Sequence, residues 1–350
     1  MKSFLLIALA CLALPAFSRD KTDVLVMKNG DRITCEVKSL AGGVLRVELG
    51  YVDGTLAVDW LSVARLESTG LFRVQLEDGS TFSGRVITPD TLSAVPVKIE
   101  ILPNDTQESL TVDKSKIVRM TQTSESFLER FSGSLTIGAL SSKGNSTTQY
   151  NVGSDLAYQQ IRWWSKVRYS SNLSSSSGAE TSTRNQVDVA AYRLLPWNNY
   201  FYGGAASFLQ SSVQGIQHQT NLAFNLGRYL GNTNRVRFTV LGGIGWQRTN
   251  YEPSRATLVS QDVPVALVSL GLEAFRFKKT RLDATGVAVP ALTDPGRLFY
   301  KTNLAYYLKV FGKIDWNFSF YGNWDTRPPP NFQGSDYGSS TGLSWTFGNR

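Results

Sequence analysis

The chain has 350 residues, long enough for two or three domains, and carries a formal net charge of +8. Its Lys and Arg residues are scattered singly with no dense basic run, which points to a solvated or lumenal surface and away from a nucleic-acid footprint. With 2 cysteines and 1 histidine, it offers no disulfide framework and no cysteine-based zinc site.

The N-terminus reads as an export signal over residues 1–18. Lys2 supplies the positive region, Phe4 to Leu14 the apolar one, and Ala16-Phe17-Ser18 places small residues where a signal peptidase cuts. The mature chain is expected to begin near Arg19. Lipid attachment at Cys11 is a weaker alternative, because Ala8-Leu9-Ala10 fits the lipoprotein pattern poorly. Cys35 is then the only mature cysteine, and its alternation with Ile33 and Val37 suggests a small buried hydrophobe. No later run of about eighteen apolar residues could form a spanning helix. Barrel strands, apolar on one face only, leave no such run.

Residues 19–123 predict a periplasmic domain of short strands in two tandem small β-units, SH3-like or Sm-like. Val24-Leu25-Val26-Met27 leads through Asn29-Gly30 into Ile33, Cys35 and Val37. Phe72-Arg73-Val74-Gln75-Leu76 leads through Asp78-Gly79 into Phe82, Gly84 and Val86. Such dipeptides between alternating runs signal hairpins, with positive φ expected at both central residues. The segment from Val58 to Leu66 likewise parallels that from Val112 to Met120.

After a polar linker, 124–130, the chain over 131–350 changes to long alternating stretches rich in Gly, Tyr, Trp, Ser and Asn. About twelve strands are predicted, starting near Phe131, Thr148, Ile161, Thr183, Asn198, Gln217, Arg235, Val263, Lys279, Gly296, Lys313 and Asp336. The fold expected is all-β, a transmembrane antiparallel β-barrel behind a small β domain. In the third strand Trp163, Val167, Tyr169 and Leu173 alternate with Arg162, Lys166, Arg168 and Asn172. Connections alternate short and long, as outer-membrane barrels do with inner turns and outer loops. Trp163, Trp316 and Trp345, with Tyr200 and Tyr229, fall near one rim on the outward face. Trp246 and Trp324, with Tyr300 and Tyr337, fall near the other, as membrane-interface aromatics should. In the last strand Thr341, Gly342, Trp345 and Phe347 resemble the signal read by barrel-assembly machinery.

On the polar face the candidate lumen-lining residues are Arg162, Lys166, Arg168, Arg235, Arg237, Glu273, Asp283, Lys301, Lys309 and Asp315, with Asp155 and Asp188. They either fill the barrel as a salt-bridge network or line a pore whose cation excess favours anions. No catalytic, cofactor or metal residues are identified. His218, the only base available for a triad, has no visible partner constellation. Asp325, Asp336, Glu252 and Asp262 read as solvated loop acids, with divalent-ion bridging to lipopolysaccharide as the alternative. Gly42-Gly43 and Gly203-Gly204 read as turn or close-packing glycines.

Several short stretches carry a family resemblance: Gly133-Ser134-Leu135, Gly144-Asn145-Ser146-Thr147, Tyr200-Phe201-Tyr202-Gly203, Leu226-Gly227-Arg228-Tyr229 and Gly242-Gly243-Ile244-Gly245-Trp246. Through these, residues 131–350 resemble the YdiY-like salt-induced outer-membrane proteins, a family of unknown function. Where that pattern leads one to expect an Arg after Gly215-Ile216, this chain has Gln217-His218-Gln219. The resemblance implies fold and location and no chemistry. The leading expectation is a small passive channel or envelope-integrity barrel used under osmotic or salt stress. The alternative is an anchor for a module that binds peptidoglycan or a periplasmic protein, and a lipid-active enzyme stands behind both. Outer-membrane lipid, lipopolysaccharide and the assembly machinery are the partners implied, and nucleic acid is not among them.

Overall fold

The structure is a computed structural model describing residues 21–52, 54–89, 98–103, 109–123, 130–142, 147–176, 181–252, 260–276, 280–328, 330 and 333–348. The export signal and nearly all of the linker predicted above lie outside the described residues.

The N-terminal part builds the same pairing pattern twice. Its first half contains β1 (Asp23–Met27), β2 (Arg32–Ala41), β3 (Val44–Glu48), β4 (Thr55–Asp59) and β5 (Val63–Glu67). The second contains β6 (Phe72–Leu76), β7 (Thr81–Ile87), β8 (Lys98–Pro103), β9 (Leu110–Asp113) and β10 (Ile117–Gln122). In each half the first strand pairs with the second and the fifth, and the second, third and fourth form a meander. The halves then exchange edges: β10 pairs with β2, and β5 pairs with β7. Strands β1, β5, β7, β6, β10 and β2 thereby close into a ring. Neither half alone would leave its edge strands covered, so the duplication completes the core.

The two glycine turns take the same shape in both halves. Gly30 N donates to Met27 O at 2.9 Å and Gly79 N donates to Leu76 O at 3.0 Å. Only the glycines, at φ 92° and 90°, are left-handed, whereas the sequence reading asked for positive φ at both central positions. The loops are type I turns closed by a left-handed glycine rather than mirror-image turns. Asn29 and Asp78 keep ordinary φ, and their side chains accept from the amides of Asp31 and Ser80 at 3.2 and 2.8 Å.

The core between the halves holds Leu25, Leu40, Trp60, Leu66, Phe72, Ile99, Ile117 and Met120 among its fully buried side chains. Trp60 and Lys114, matching positions of the two halves, meet across it. Trp60 Nε1 donates to Lys114 O at 3.0 Å, and Lys114 Nζ donates to Trp60 O at 2.7 Å and to Val63 O. Burial pushes the Lys114 amine down to about 8. Cys35 is buried here, and burial, then the charges of Asp23 and Glu36, push its thiol up to about 12.

The rest of the chain is one closed antiparallel barrel of twelve strands. They are β11 (Phe131–Ser142), β12 (Thr147–Gln159), β13 (Trp163–Ser175), β14 (Ser182–Leu194), β15 (Tyr200–Ser211), β16 (Ile216–Asn232), β17 (Val236–Tyr251), β18 (Ser260–Arg276), β19 (Thr280–Pro290), β20 (Leu298–Phe311), β21 (Ile314–Asp325) and β22 (Ser335–Gly348). Each strand starts within three residues of its predicted position. Pairing of β11 with β22 closes the barrel, so no strand is left with an open edge.

Outward positions form an exposed apolar belt. Ile137, Leu222, Phe224, Leu226, Ile244, Val268, Leu270 and Leu343 are each more than 49% accessible. A belt this continuous is unfavourable in water and suits lipid chains. Trp163, Trp246, Trp316 and Trp345 are exposed on it near the rims, with Trp324 half-buried. Tyr229 corrects the reading given above. It faces the interior, against Phe201 at 4.9 Å, while Arg228 takes the outward place over Tyr200.

The loop contrast is also smaller than the sequence suggests. Strands β16 and β18 run for 17 residues, so their ladders consume residues assigned to loops. The connection 212–215 is no longer than the turn 195–199 at the other end.

Candidate functional site: the barrel interior

The N-terminal domain sits against the barrel end that carries the short turns. Asn199, in the β14–β15 turn, donates through Nδ2 to Glu77 O. Asn234, in the β16–β17 turn, donates through Nδ2 to Ser115 O and Ile117 O, both at 2.9 Å. Arg162 Nη2, in the β12–β13 turn, donates to Thr81 Oγ1 at 3.1 Å. Glycine permits the close approach. A Cβ at Gly43, φ +73°, would lie 2.6 Å from Asn234 O, and one at Gly79 would lie 2.8 Å from Asn199 N.

Between this cap and the barrel wall lies a chamber of about 1290 Å³. Lys38, Arg46, Glu48, Arg119 and Gln122 face it from the cap. From the barrel come Lys166, Arg168, Arg237, Arg281, Lys301, Lys309 and Lys313, against Asp155, Asp188, Glu273, Asp283 and Asp315. Cations outnumber carboxylates on both sides. Of the lumen candidates named from sequence, Arg162 and Arg235 do not line the chamber. Arg162 is spent on the cap and Arg235 is exposed in its turn, because both precede the strands whose alternation suggested them. Arg281, Lys313 and the cap residues were missed. Arg281 follows from parity with Asp283, whereas the cap's part leaves no mark in the barrel sequence.

Much of the charge is paired. Asp155 holds Arg168 Nε at 3.1 Å and Lys166 Nζ at 3.4 Å, Arg281 holds Asp283 at 2.6 Å, and Arg237 holds Glu273 at 3.1 Å. Gln186 Nε2 donates to both oxygens of Asp188 at 2.8 and 3.0 Å. Two apolar surfaces complete the wall. Trp164, Tyr192, Phe201, Tyr229 and Leu241 pack together near the cap. Val265, Leu267, Val287 and Val289 form a second wall beside Lys301.

Two buried networks lie at the far end. Arg184 Nη1 meets Asp336 Oδ2 at 2.6 Å, and its Nη2 donates to Gln186 Oε1 at 2.6 Å. Ser211 Oγ donates to Asp336 at 2.8 Å, and the guanidinium lies 4.5 Å from the Tyr321 ring centre. Arg297 grips Asp325 with two hydrogen bonds, at 2.6 and 3.1 Å, and donates to Gln261 Oε1 at 2.8 Å. The space recorded beside them among the described residues, about 30 Å³, is bounded by Tyr251, Phe299, Asn323 and Asp325. Asp325 and Asp336 are therefore not the solvated loop acids the sequence suggested. They occupy inward positions at strand ends, opposite arginines that no local pattern announces.

His218 lies against Asn250 Nδ2 and stacks on Phe208, with no nucleophile or carboxylate recorded beside it among the described residues. Thr341, Gly342, Trp345 and Phe347 lie on β22, the strand that closes the barrel, where Trp345 packs on Phe347 at 5.4 Å. Among the described residues no group of three His, Cys, Asp or Glu is placed to hold a metal ion.

No curated protein matches the sequence. Among solved structures, a porin is 9% identical with a TM-score of 0.29, covering 62% of this chain and 99% of its own. The β domain of the Bordetella autotransporter BrkA is 9% identical with a TM-score of 0.31, covering 62% and 98%. The translocator domain of the autotransporter NalP from Neisseria meningitidis is 13% identical with a TM-score of 0.31, covering 62% and 87%. The family model described as "Protein of unknown function, DUF481" matches residues 135–347, nearly the whole barrel. The chain belongs to the DUF481 family, and its C-terminal part is an outer-membrane-type β-barrel.

Proposed function

We propose that this protein is an outer-membrane channel held shut at rest, with its N-terminal domain as a periplasmic cap and a cation-rich chamber that passes small anions when the far end opens. The observation that carries this reading is a chamber of about 1290 Å³ ending at two buried Arg–Asp networks. An excess of fixed cations in a water-filled passage favours anions. The domain's hydrogen bonds to three turns favour a cap over a freely tethered anchor. Orientation follows the habit of such barrels, short turns inside and longer connections outside.

Planar-bilayer recording of the full chain tests this. The expected record is silence at rest with brief, small, anion-selective openings. Steady large conductance, or preference for cations, contradicts the reading.

A further inference from the structure

We propose that the chamber is also a binding site for an anionic amphiphile, a single oxyanion head on an aliphatic body, with Lys301 as the head-group ligand. This goes beyond conduction and does not depend on it.

Lys301 differs in its surroundings from the four ion-paired cations of the barrel wall, and unlike Lys309 and Lys313 it lies deep in the wall beside the valine surface. Arg168, Lys166, Arg281 and Arg237 each hold a carboxylate, but Lys301 Nζ has no hydrogen bond or ion pair among the described residues. Asp188 is the carboxylate whose charge reaches it. That carboxylate is already held by Gln186 and also acts on Arg168. An ammonium inside a low-dielectric wall favours an anionic partner.

On its β19 side Lys301 is flanked by apolar side chains, while its partner on β21 is the amide Asn323. Val287 is its direct cross-strand partner on β19, and Val265, Leu267 and Val289 continue that surface into the chamber. A cation at the edge of an aliphatic wall, inside a cavity large enough for a small molecule, matches a charged head with an apolar tail. Two solutes fit less well. A bare inorganic anion leaves the valine and leucine wall uncovered, and a neutral hydrocarbon leaves the ammonium without a partner.

The chamber also has an approach of the right charge. The cap's hydrogen bonds run to the turns at 160–162, 195–199 and 233–235, whereas Gly312 and Lys313 of the β20–β21 turn stay exposed at the chamber's edge. Lys309 and Lys313 flank that turn and outnumber its one carboxylate, Asp315, which lies across from Lys309. An anion is drawn toward such a mouth and a cation is turned away.

The test is calorimetric titration of the full chain in nanodiscs of zwitterionic phosphatidylcholine, with empty nanodiscs as baseline. Octanoate and octyl phosphate are the probes, and octanol and acetate supply the body and the head alone. Saturable binding of an anionic probe, about tenfold or more tighter than octanol or acetate, is the expected result. Whether octanoate or octyl phosphate is tighter distinguishes a fatty acid from a lipid phosphate as the natural source. Lys301→Met should weaken the anion about tenfold and leave octanol unchanged. Leu267→Trp, which fills the apolar wall, should weaken both and decides the matter if the lysine variant does not fold. Uptake no different from empty nanodiscs, or binding of octanoate to both variants as tight as to the unaltered chain, overturns the proposal. A silent bilayer with saturable octanoate binding would remove the channel and keep the site.

Discussion

Trp60→Ala is expected to destabilise the N-terminal domain by about 3–5 kcal/mol while the barrel stays folded. Trp60 is fully buried between the two halves and donates its indole N–H to Lys114 O. Truncation leaves a cavity the size of an indole and an unsatisfied carbonyl. It also removes the ring over which the Lys114 ammonium sits, at 5.2 Å. A domain of about 100 residues has only some 5–15 kcal/mol to lose. The measurement is limited proteolysis followed through a thermal ramp. The altered domain should be digested at temperatures where the unaltered one survives, and the heat-resistant barrel band should not move. A melting profile within about 1 kcal/mol of the original would show that the halves do not depend on this contact.

Asp336→Ala is expected to open the far end of the chamber. The carboxylate holds Arg184 at 2.6 Å and accepts from Ser211, so its removal leaves a buried guanidinium without its counter-charge. Breaking one side of a buried pair costs about 3–5 kcal/mol, and the remaining bond to Gln186 puts this case near the lower figure. Barrel ladders are untouched, so the loss should appear as a lower temperature for the folded-to-unfolded gel shift. In bilayers the same variant should spend far more time open, with conductance rising by about an order of magnitude as the guanidinium draws anions through. Full stability with an unchanged record would show that this pair is not the constriction.

The barrel was the most legible part of the sequence. Period-two alternation in β13, β17 and β21 announces both faces, because lipid on one side and polar contents on the other impose opposite chemistry on neighbouring residues. The repeat was legible as well, since Asn29-Gly30 and Asp78-Gly79 mark equivalent turns. Other features were not. Arg162 and Arg235 carry charge at the ends of alternating runs, where parity no longer decides which face a side chain takes. Arg184 is in phase with Asp188 on β14, so its inward direction could have been read, but its partner Asp336 lies 152 positions away. Arg297 sits in a connection, and no periodicity bears on its direction. The exchange of edges between the halves and the seating of Asn199 and Asn234 on the cap involve backbone carbonyls, which have no sequence signature at all.

The most direct test of the account is whether the cap is seated on the short-turn end in the intact membrane. Thr81→Cys with Arg162→Cys, in a Cys35→Ala background, places thiols on two residues whose side chains now meet at 3.1 Å, a span that a short bismaleimide can bridge. Asn29→Cys with Arg162→Cys is the comparison, because Asn29 bonds through its side chain to Asp31 of its own turn and that turn makes no bond to the barrel among the described residues. With a protease site placed within residues 124–129 and a short bismaleimide, the first pair should keep cap and barrel joined after cleavage, and the comparison pair should separate. Equal joining of both pairs, or separation of both, would contradict a seated cap and a closed chamber.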